Sequence, residues 1–331
     1  MKAISLFSGA GGFEQGFDRA GIETQLMVEI DEKAQAVLKR HYPETELIAD
    51  VRDVCEKGTS SVLRRPGNVG GVGRGSDAER ARQHGTGEGD DIDLIYGGFP
   101  CQDVSVAGHR KGLAGERSGL WFEFHRIVSQ LQPRWVVIEN VRGILSSNSG
   151  RDFEVILEGL DELGYGVSWA VLDAQHFGVP QRRARVFIVA SLGNESSREV
   201  LALCESCGGH FEAVETPQQE VAGTLGGRTK GAGGFRQDLD TRLGDKQWLE
   251  NQSVLNFDVM RRAGAGVRRL TVTECERLMG WPDGWTEYGI GEDGERINMA
   301  DTHRFRLIGN GVASPVAQWL GHRLVEVDSW A

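Results

Sequence analysis

No stretch of this chain stays apolar for the roughly 20 residues that a membrane-spanning helix needs. No basic-then-apolar export signal precedes the first strand-like segment, Ala3-Ile4-Ser5-Leu6-Phe7. The expectation is a protein without a membrane partner. Cysteine is scarce: there are five, an odd number at scattered spacings. That speaks against a disulfide framework and for a reducing, cytoplasmic setting. Net positive charge is missing as well, the formal total being -11. This counts against a nucleic-acid partner only at first sight, because phosphate contacts depend on where cations sit rather than on the chain total. Arginine pairs do recur late in the chain, as Arg182-Arg183, Arg261-Arg262 and Arg268-Arg269.

What is present is a chain of 331 residues, long enough for a large domain plus a smaller one. Its first half alternates short apolar runs with segments of helical period. Strand candidates are residues 3–7, Leu26-Met27-Val28, Leu47-Ile48-Ala49, Ile92 to Tyr96, Trp135 to Ile138, the alternating Val167, Trp169 and Val171, and Val186 to Ala190. Between them, Phe13, Phe17 and Ala20 share a helical face, as do Ala34, Val37 and Leu38. Leu120, Phe124, Ile127, Val128 and Leu131 form another, and Phe153, Ile156, Leu157, Leu160 and Leu163 the clearest of all. This rhythm predicts an α/β fold with a mostly parallel sheet covered on both faces.

Two regions break the rhythm. Residues 58–91 are rich in Gly, Ser, Arg and charge without apolar periodicity and read as a flexible surface insertion. Residues 192 to about 300 carry glycine clusters and read as a smaller, irregular second domain. Within it, Thr271 and Glu274 have capping-box spacing before a short helix that Gly280 ends. A last helix is expected to begin at Ser314-Pro315.

The chemistry-bearing residues gather where strands end. Phe7-Ser8-Gly9-Ala10-Gly11-Gly12 follows the first strand and opens a helix, so its backbone N–H groups can approach a ligand at the positive helix end. Such a turn by itself is as compatible with no ligand as with one. Glu29 follows the second strand and Asp50 the third; they read either as ribose and adenine contacts or as solvated loop acids. Gly97-Gly98-Phe99-Pro100-Cys101-Gln102 follows the fourth strand. Its cysteine is either a nucleophile or a buried thiol, and the flanking Gly and Pro describe a shaped loop rather than a packed core. Glu139-Asn140-Val141 follows the run Trp135 to Ile138, and a glutamate there is costly to bury unless paired, which makes it a candidate proton donor. Gln181-Arg182-Arg183-Ala184-Arg185 leads into the next strand with Arg183 and Arg185 on one side, unless these are merely a solvated edge.

Taken in order, these elements resemble the DNA (cytosine-5)-methyltransferase family of bacterial or phage type. Arg269-Leu270-Thr271, Gly280-Trp281-Pro282-Asp283 and Ile308-Gly309-Asn310-Gly311-Val312 complete the set. The resemblance covers residues 1–57, 92–191 and 267–331. It implies a Rossmann-like, S-adenosylmethionine-dependent methyltransferase sheet formed by residues 1–192 plus 303–331. A target-recognition domain would then occupy 193–302. It further implies Cys101 as nucleophile, with Glu139, Arg183 and Arg185 as catalytic partners. The cofactor would lie against Phe7, Gly9, Gly11, Glu29, Asp50, Pro100 and Asn310. Duplex DNA would be the substrate, contacted by Gln102, Ser105 and Asn140 around the flipped base. Arg228, Lys230 and Arg236 would make base or phosphate contacts in the recognition domain. A monomer is expected, with a cognate restriction endonuclease as a potential companion acting on the same site.

Rival readings are few. A dinucleotide-dependent oxidoreductase shares the glycine turn but has no use for the cysteine loop and the arginine motif. A catalytically silent DNA-binding module, or an enzyme acting on transfer RNA, would differ by cofactor binding and by substrate. Cys204 and Cys207 have Cys-x-x-Cys spacing near His210, but no second pair completes a zinc site, so no metal is expected.

Overall fold

The computed structural model describes residues 1–55, 92–100, 119–194, 196–202 and 269–330. The expected insertion at 58–91 and the segments 101–118 and 203–268 lie outside the described residues. Seven of the described strands form one sheet. They are β1 (Lys2–Leu6), β2 (Glu23–Val28), β3 (Glu46–Ile48), β4 (Leu94–Gly97), β5 (Trp135–Val141), β6 (Tyr165–Asp173) and β7 (Ala184–Leu192). Their order is β3-β2-β1-β4-β5-β7-β6. All neighbours pair in parallel except β7, which runs antiparallel to both β5 and β6. The order reverses between β1 and β4, the switch point outside which ligands collect in open α/β sheets.

Residue alternation along the strands produces two cores. Ala3, Tyr96, Val137 and Phe187 face one side and pack with α1 (Gly12–Arg19), α2 (Glu32–His41) and α8 (Ser314–Asp328). Ile4, Ile95, Val136 and Ile188 face the other and pack with α3 (Leu120–Leu131) and α4 (Arg151–Glu162). The apolar strand runs noted above are those of a sheet buried on both faces.

Local signals set several helix ends. The Asp31 side chain accepts from the N–H groups of Lys33 and Ala34 to start α2, whose last turn carries Lys39, Arg40 and His41 at its negative end. The capping box of Thr271 and Glu274 starts α6 (Val272–Leu278), and Gly280 follows in the left-handed region at φ 71°. Proline in the first turn opens α8. The short α5 (Ser197–Leu201) and α7 (Asp301–Asn310) complete the described helices.

Two features differ from the expectation. Glu139 and Asn140 lie inside β5 rather than after it, because β7 keeps pairing past the apolar run: Glu139 is opposite Phe187 and Asn140 opposite Val186. The ladder needs backbone groups, not apolar side chains. Residues 272–299 fall on the second-domain side of the boundary expected at 302, yet Val272, Cys275, Met279, Trp281 and Met299 belong to the core shared with α1 and α8. The small hairpin β8 (Tyr288–Ile290) and β9 (Arg296–Asn298) lies in the same stretch, and Gly289 rests directly on Ala36 of α2.

Candidate active site

The turn after β1 is built for close approach. Phe7, Gly9 and Gly11 all adopt positive φ (60°, 58° and 88°), a conformation glycine takes without steric cost and phenylalanine does not. A side chain on Gly12 would stand 2.5 Å from the Val312 carbonyl oxygen, so only glycine lets α1 start against the segment joining α7 to α8. The turn is tied to the end of β2 by Glu29. Its carboxylate accepts from the Gly9 N–H at 2.7 Å through one oxygen and from the Asp31 N–H at 2.8 Å through the other. Burial raises the Glu29 pKa, and these N–H groups work against that rise. Each carboxylate oxygen keeps a lone pair for a further donor.

Beside Glu29, Ile30 is 69% exposed, an apolar surface next to an acid at a strand end. Asp50 caps the short turn Val51–Asp53 and pairs with Arg52 at 2.8 Å. Hydrogen bonding to Arg52 holds its carboxyl below the usual range. Asn310, the last residue of α7, is exposed and lies two residues before Val312, which contacts Gly12.

Across the switch point, β4 ends at Gly97, level with Leu6 on one side and Ile138 on the other. The next residues run Gly98, buried Phe99 and exposed Pro100. A Cβ on Gly98 would meet a Glu139 carboxylate oxygen at 2.8 Å. Glycine therefore makes room for that carboxylate beneath the loop. Glu139 pairs with Arg185, Nε to Oε1 3.2 Å, both side chains about seven-eighths buried (12% and 15% exposed). Burial raises the Glu139 pKa, while Arg185 and then Arg183 pull it back. Asn140 donates to the Phe99 carbonyl at 3.1 Å and accepts from the Val141 N–H at 2.9 Å, strapping the residues before position 101 to β5.

Arg183 sits behind this pair. Its Nη2 donates to the carbonyls of Gly309 (3.1 Å) and Gly311 (2.6 Å), and its backbone N–H donates to Asp173 (2.9 Å). Burial, then the charge of Arg185, lowers its pKa, and Glu139 opposes that. Arg183 therefore bridges the arginine motif to the α7–α8 junction while remaining in the field of Glu139.

The structure thus gathers Phe7, Gly9, Gly11 and Glu29 at one edge of the switch point. Pro100, Glu139, Asn140, Arg183 and Arg185 gather at the other. Cys101, Gln102 and Ser105 lie outside the described residues, as do Arg228, Lys230, Arg236, Cys204 and Cys207. Among the described residues no group of His, Cys, Asp or Glu is arranged to hold a metal, and no helix is long and apolar enough to cross a membrane. Two residues escaped the sequence reading. Ile30 was signalled only by being apolar directly after an acid that ends a strand. Trp285, whose indole N–H donates to the Ala10 carbonyl at 2.7 Å, was signalled by nothing local.

A mostly parallel sheet whose seventh strand in chain order is inserted antiparallel, a glycine turn after β1 and an acid closing β2 make this a Rossmann-like, S-adenosylmethionine-dependent methyltransferase fold. The fold of an S. pombe Dnmt2 methyltransferase superposes on it with TM-score 0.57, covering 98% of each chain at 18% identity. Within that class the chain belongs to the C-5 cytosine-specific DNA methylase family, which it matches over residues 1–253 and 236–326. The Bacillus subtilis type II methyltransferase M2.BsuMI is 29% identical over 98% of this chain and 75% of its own length. The Neisseria gonorrhoeae type II methyltransferase M.NgoBI is 29% identical over 96% of this chain and 90% of its own. The protein is a DNA (cytosine-5-)-methyltransferase.

Proposed function

We propose that this chain methylates carbon 5 of a cytosine flipped out of a specific duplex DNA site, through a transient covalent bond between Cys101 and carbon 6. The observation that carries this is the buried Glu139–Arg185 pair lying under Gly98, with β4 between its strands and the glycine turn after β1. A carboxyl and a guanidinium side by side match the edge of a cytosine, which offers N3 and an amine next to a carbonyl oxygen. S-adenosylmethionine, when bound, supplies an electrophilic methyl group. The residues present fit it: Glu29 has lone pairs left for ribose hydroxyls, Ile30 offers an exposed apolar face, and nothing stands within 4 Å of where a Gly9 side chain would project. Phe7 and Gly11 shape the same turn. Asp50, ionised beside Arg52 just after β3, would accept from the adenine amine, and the exposed Pro100 and Asn310 would complete the contacts.

The chain's own work follows from this geometry. Cys101 as thiolate adds to carbon 6, and the electron pair displaced from the 5,6 double bond makes carbon 5 nucleophilic. Glu139 hydrogen-bonds N3 and the exocyclic amine, and a pKa raised by burial lets its carboxyl supply a proton to N3 as charge builds there. Arg185 donates to the carbonyl oxygen, and Arg183 holds the α7–α8 junction while keeping positive field on Glu139. Once carbon 5 is methylated, its proton leaves to a water acting as base, the electron pair re-forms the 5,6 double bond as the carbon 6–sulfur bond breaks to free the Cys101 thiolate, and N3 returns its proton to Glu139. Asn140 positions the loop that carries Cys101, through Phe99. Gln102 and Ser105 contact the extruded nucleotide, and Arg228, Lys230 and Arg236 read or grip the duplex. The type II relatives suggest that the methylated site is one also cut by a cognate restriction endonuclease.

The test is transfer of label from S-adenosylmethionine to mixed-sequence duplex DNA, comparing the intact protein with Cys101→Ser. Carbon-5 label that the variant no longer transfers is the expected result. Label that persists in the variant would overturn Cys101 as nucleophile, and label found in transfer RNA alone would overturn the substrate.

A further inference from the structure

Trp285 sits in the loop between α6 and β8, outside the chemistry just described, and its surroundings fix it from every side. Below it, the fully buried Glu276 carboxylate accepts from the N–H groups of Gly284 (2.8 Å) and Thr286 (2.8 Å) and from the Thr286 hydroxyl (2.6 Å), with Arg304 at 3.1 Å. From α2, Arg40 Nη1 donates to the carbonyls of Gly284 (3.0 Å), Trp285 (3.4 Å) and Tyr288 (3.3 Å). The N–H groups on either side of Trp285 are thus held by one buried carboxylate, and three loop carbonyls face one guanidinium. His41 completes the clamp. Its ring lies flat on the indole, 3.4 Å between centroids and 4° between planes, and its Nε2 bonds the Trp285 carbonyl at 2.9 Å.

All of this delivers one hydrogen bond, from the indole Nε1 to the carbonyl of Ala10 at 2.7 Å. Ala10 is buried between Gly9 and Gly11, both in the left-handed region, and a Cβ added at Gly11 would stand 3.3, 3.4 and 3.5 Å from Tyr42, Leu38 and Trp285. A buried carbonyl needs a partner, and among the described residues no helix or strand ladder supplies one here. We propose that Trp285 is a positioning residue for the methyl donor. Its N–H orients the Ala10 peptide, and so fixes how the turn from Gly9 to Gly11 meets S-adenosylmethionine. The inference rests on the reading of that turn as the cofactor site.

Packing alone would need only an aromatic ring at 285, so Trp285→Phe separates the N–H from the ring. In the intact protein, calorimetric titration with S-adenosylmethionine and with S-adenosylhomocysteine should give dissociation constants raised about tenfold in the variant, as expected for one lost bond to a buried carbonyl. KM for S-adenosylmethionine should rise in step. kcat at saturating cofactor and KM for DNA should stay near their original values, while the ligand-free melting temperature falls by about 2–4 °C because the Ala10 carbonyl is left unpaired. Unchanged cofactor affinity would overturn the proposal, and so would an equal loss of DNA affinity. His41→Leu, which removes the stack and the bond to the Trp285 carbonyl but leaves the indole, should raise the same constants by a smaller factor. No rise there would count equally against it, and this arm stands if Trp285→Phe fails to fold. Glu29→Gln, run in parallel, distinguishes the two readings. If it leaves cofactor affinity untouched, the turn is not the cofactor site. If it weakens binding while Trp285→Phe does not, only the positioning role falls.

Discussion

Replacing Glu14 by glutamine should remove a pH-dependent weakness from the fold. Glu14 is wholly buried in α1, two residues into the helix that opens under the glycine turn. One carboxylate oxygen accepts from the Ser5 hydroxyl at 2.5 Å, which in turn accepts from Ser8 at 2.8 Å; the other has no partner among the described residues. Burial raises its pKa from 4.5 to about 7, against the pull of Ser5. A carboxyl whose folded pKa exceeds its unfolded one binds its proton more tightly when folded. The stability it contributes is therefore complete below about 4.5 and is lost as pH rises through about 7. At 1.36 kcal/mol per pH unit, that gap corresponds to roughly 3 kcal/mol between acid and pH 8, of which about 2 kcal/mol falls above pH 5.5. Glutamine keeps the acceptor for Ser5 and cannot ionise. Urea unfolding of both proteins at pH 5.5, 6.5, 7.5 and 8.5 should show the variant gaining on the parent by about 2 kcal/mol across the series, since all other titrating groups cancel in the difference. A difference that stays flat over that range would refute a buried, proton-holding Glu14.

Three further substitutions probe other parts of the argument. Gly12→Ala forces a methyl group against the Val312 backbone at 2.5 Å. The roughly 1–3 kcal/mol cost of overpacking a backbone contact exceeds the about 1 kcal/mol that alanine returns as a better helix former. Urea denaturation should therefore show a less stable protein, and a gain in stability would contradict the contact. Glu276→Gln leaves Arg304 without its buried counter-charge and the Thr286 or Gly284 N–H without an acceptor. A loss of about 3–5 kcal/mol in chemical denaturation is expected. Glu139→Gln should cut kcat for DNA methylation by about 10²–10⁴ while calorimetry shows cofactor affinity within twofold. Equal losses in both would mean that Glu139 acts on the cofactor side instead.

The strands were legible because a sheet covered on both faces writes continuous apolar runs, as in Leu94 to Tyr96 and Val186 to Ala190, and such runs need no long-range information. Helix boundaries were legible where a side chain closes its own hydrogen bond, as Thr271 and Glu274 do. The order of the strands was not. Nothing local to Ala184–Leu192 says that this strand turns back between β5 and β6, and that reversal is what extends β5 far enough to carry Glu139 and Asn140 on a rigid ladder. The stretch before the expected boundary near 302 was hard to read for a related reason. It lacks βα rhythm from 272 to 299, yet irregular chain can still fill a core, as Met279, Trp281 and Met299 do. Within the site, residues that meet through strand adjacency were foreseeable, whereas Trp285 reaches the glycine turn from a loop whose sequence carries no mark of its destination.

The hydrogen bond between Trp285 and Ala10 joins positions 275 residues apart in the chain, and Gly12 waits on Val312 in the same way. Translation adds residues at about 5–20 per second, so the glycine turn leaves the ribosome on the order of tens of seconds before the groups that brace it exist. Throughout that interval Phe13 and Phe17, later covered by α8, have only the partial sheet to shelter against. A nascent or truncated chain ending before Trp285 would hold the turn, the strands through β7 and Arg185, and still leave the Ala10 carbonyl unbraced. The order of synthesis thus makes this turn, among the first segments to emerge, one of the last to be finished.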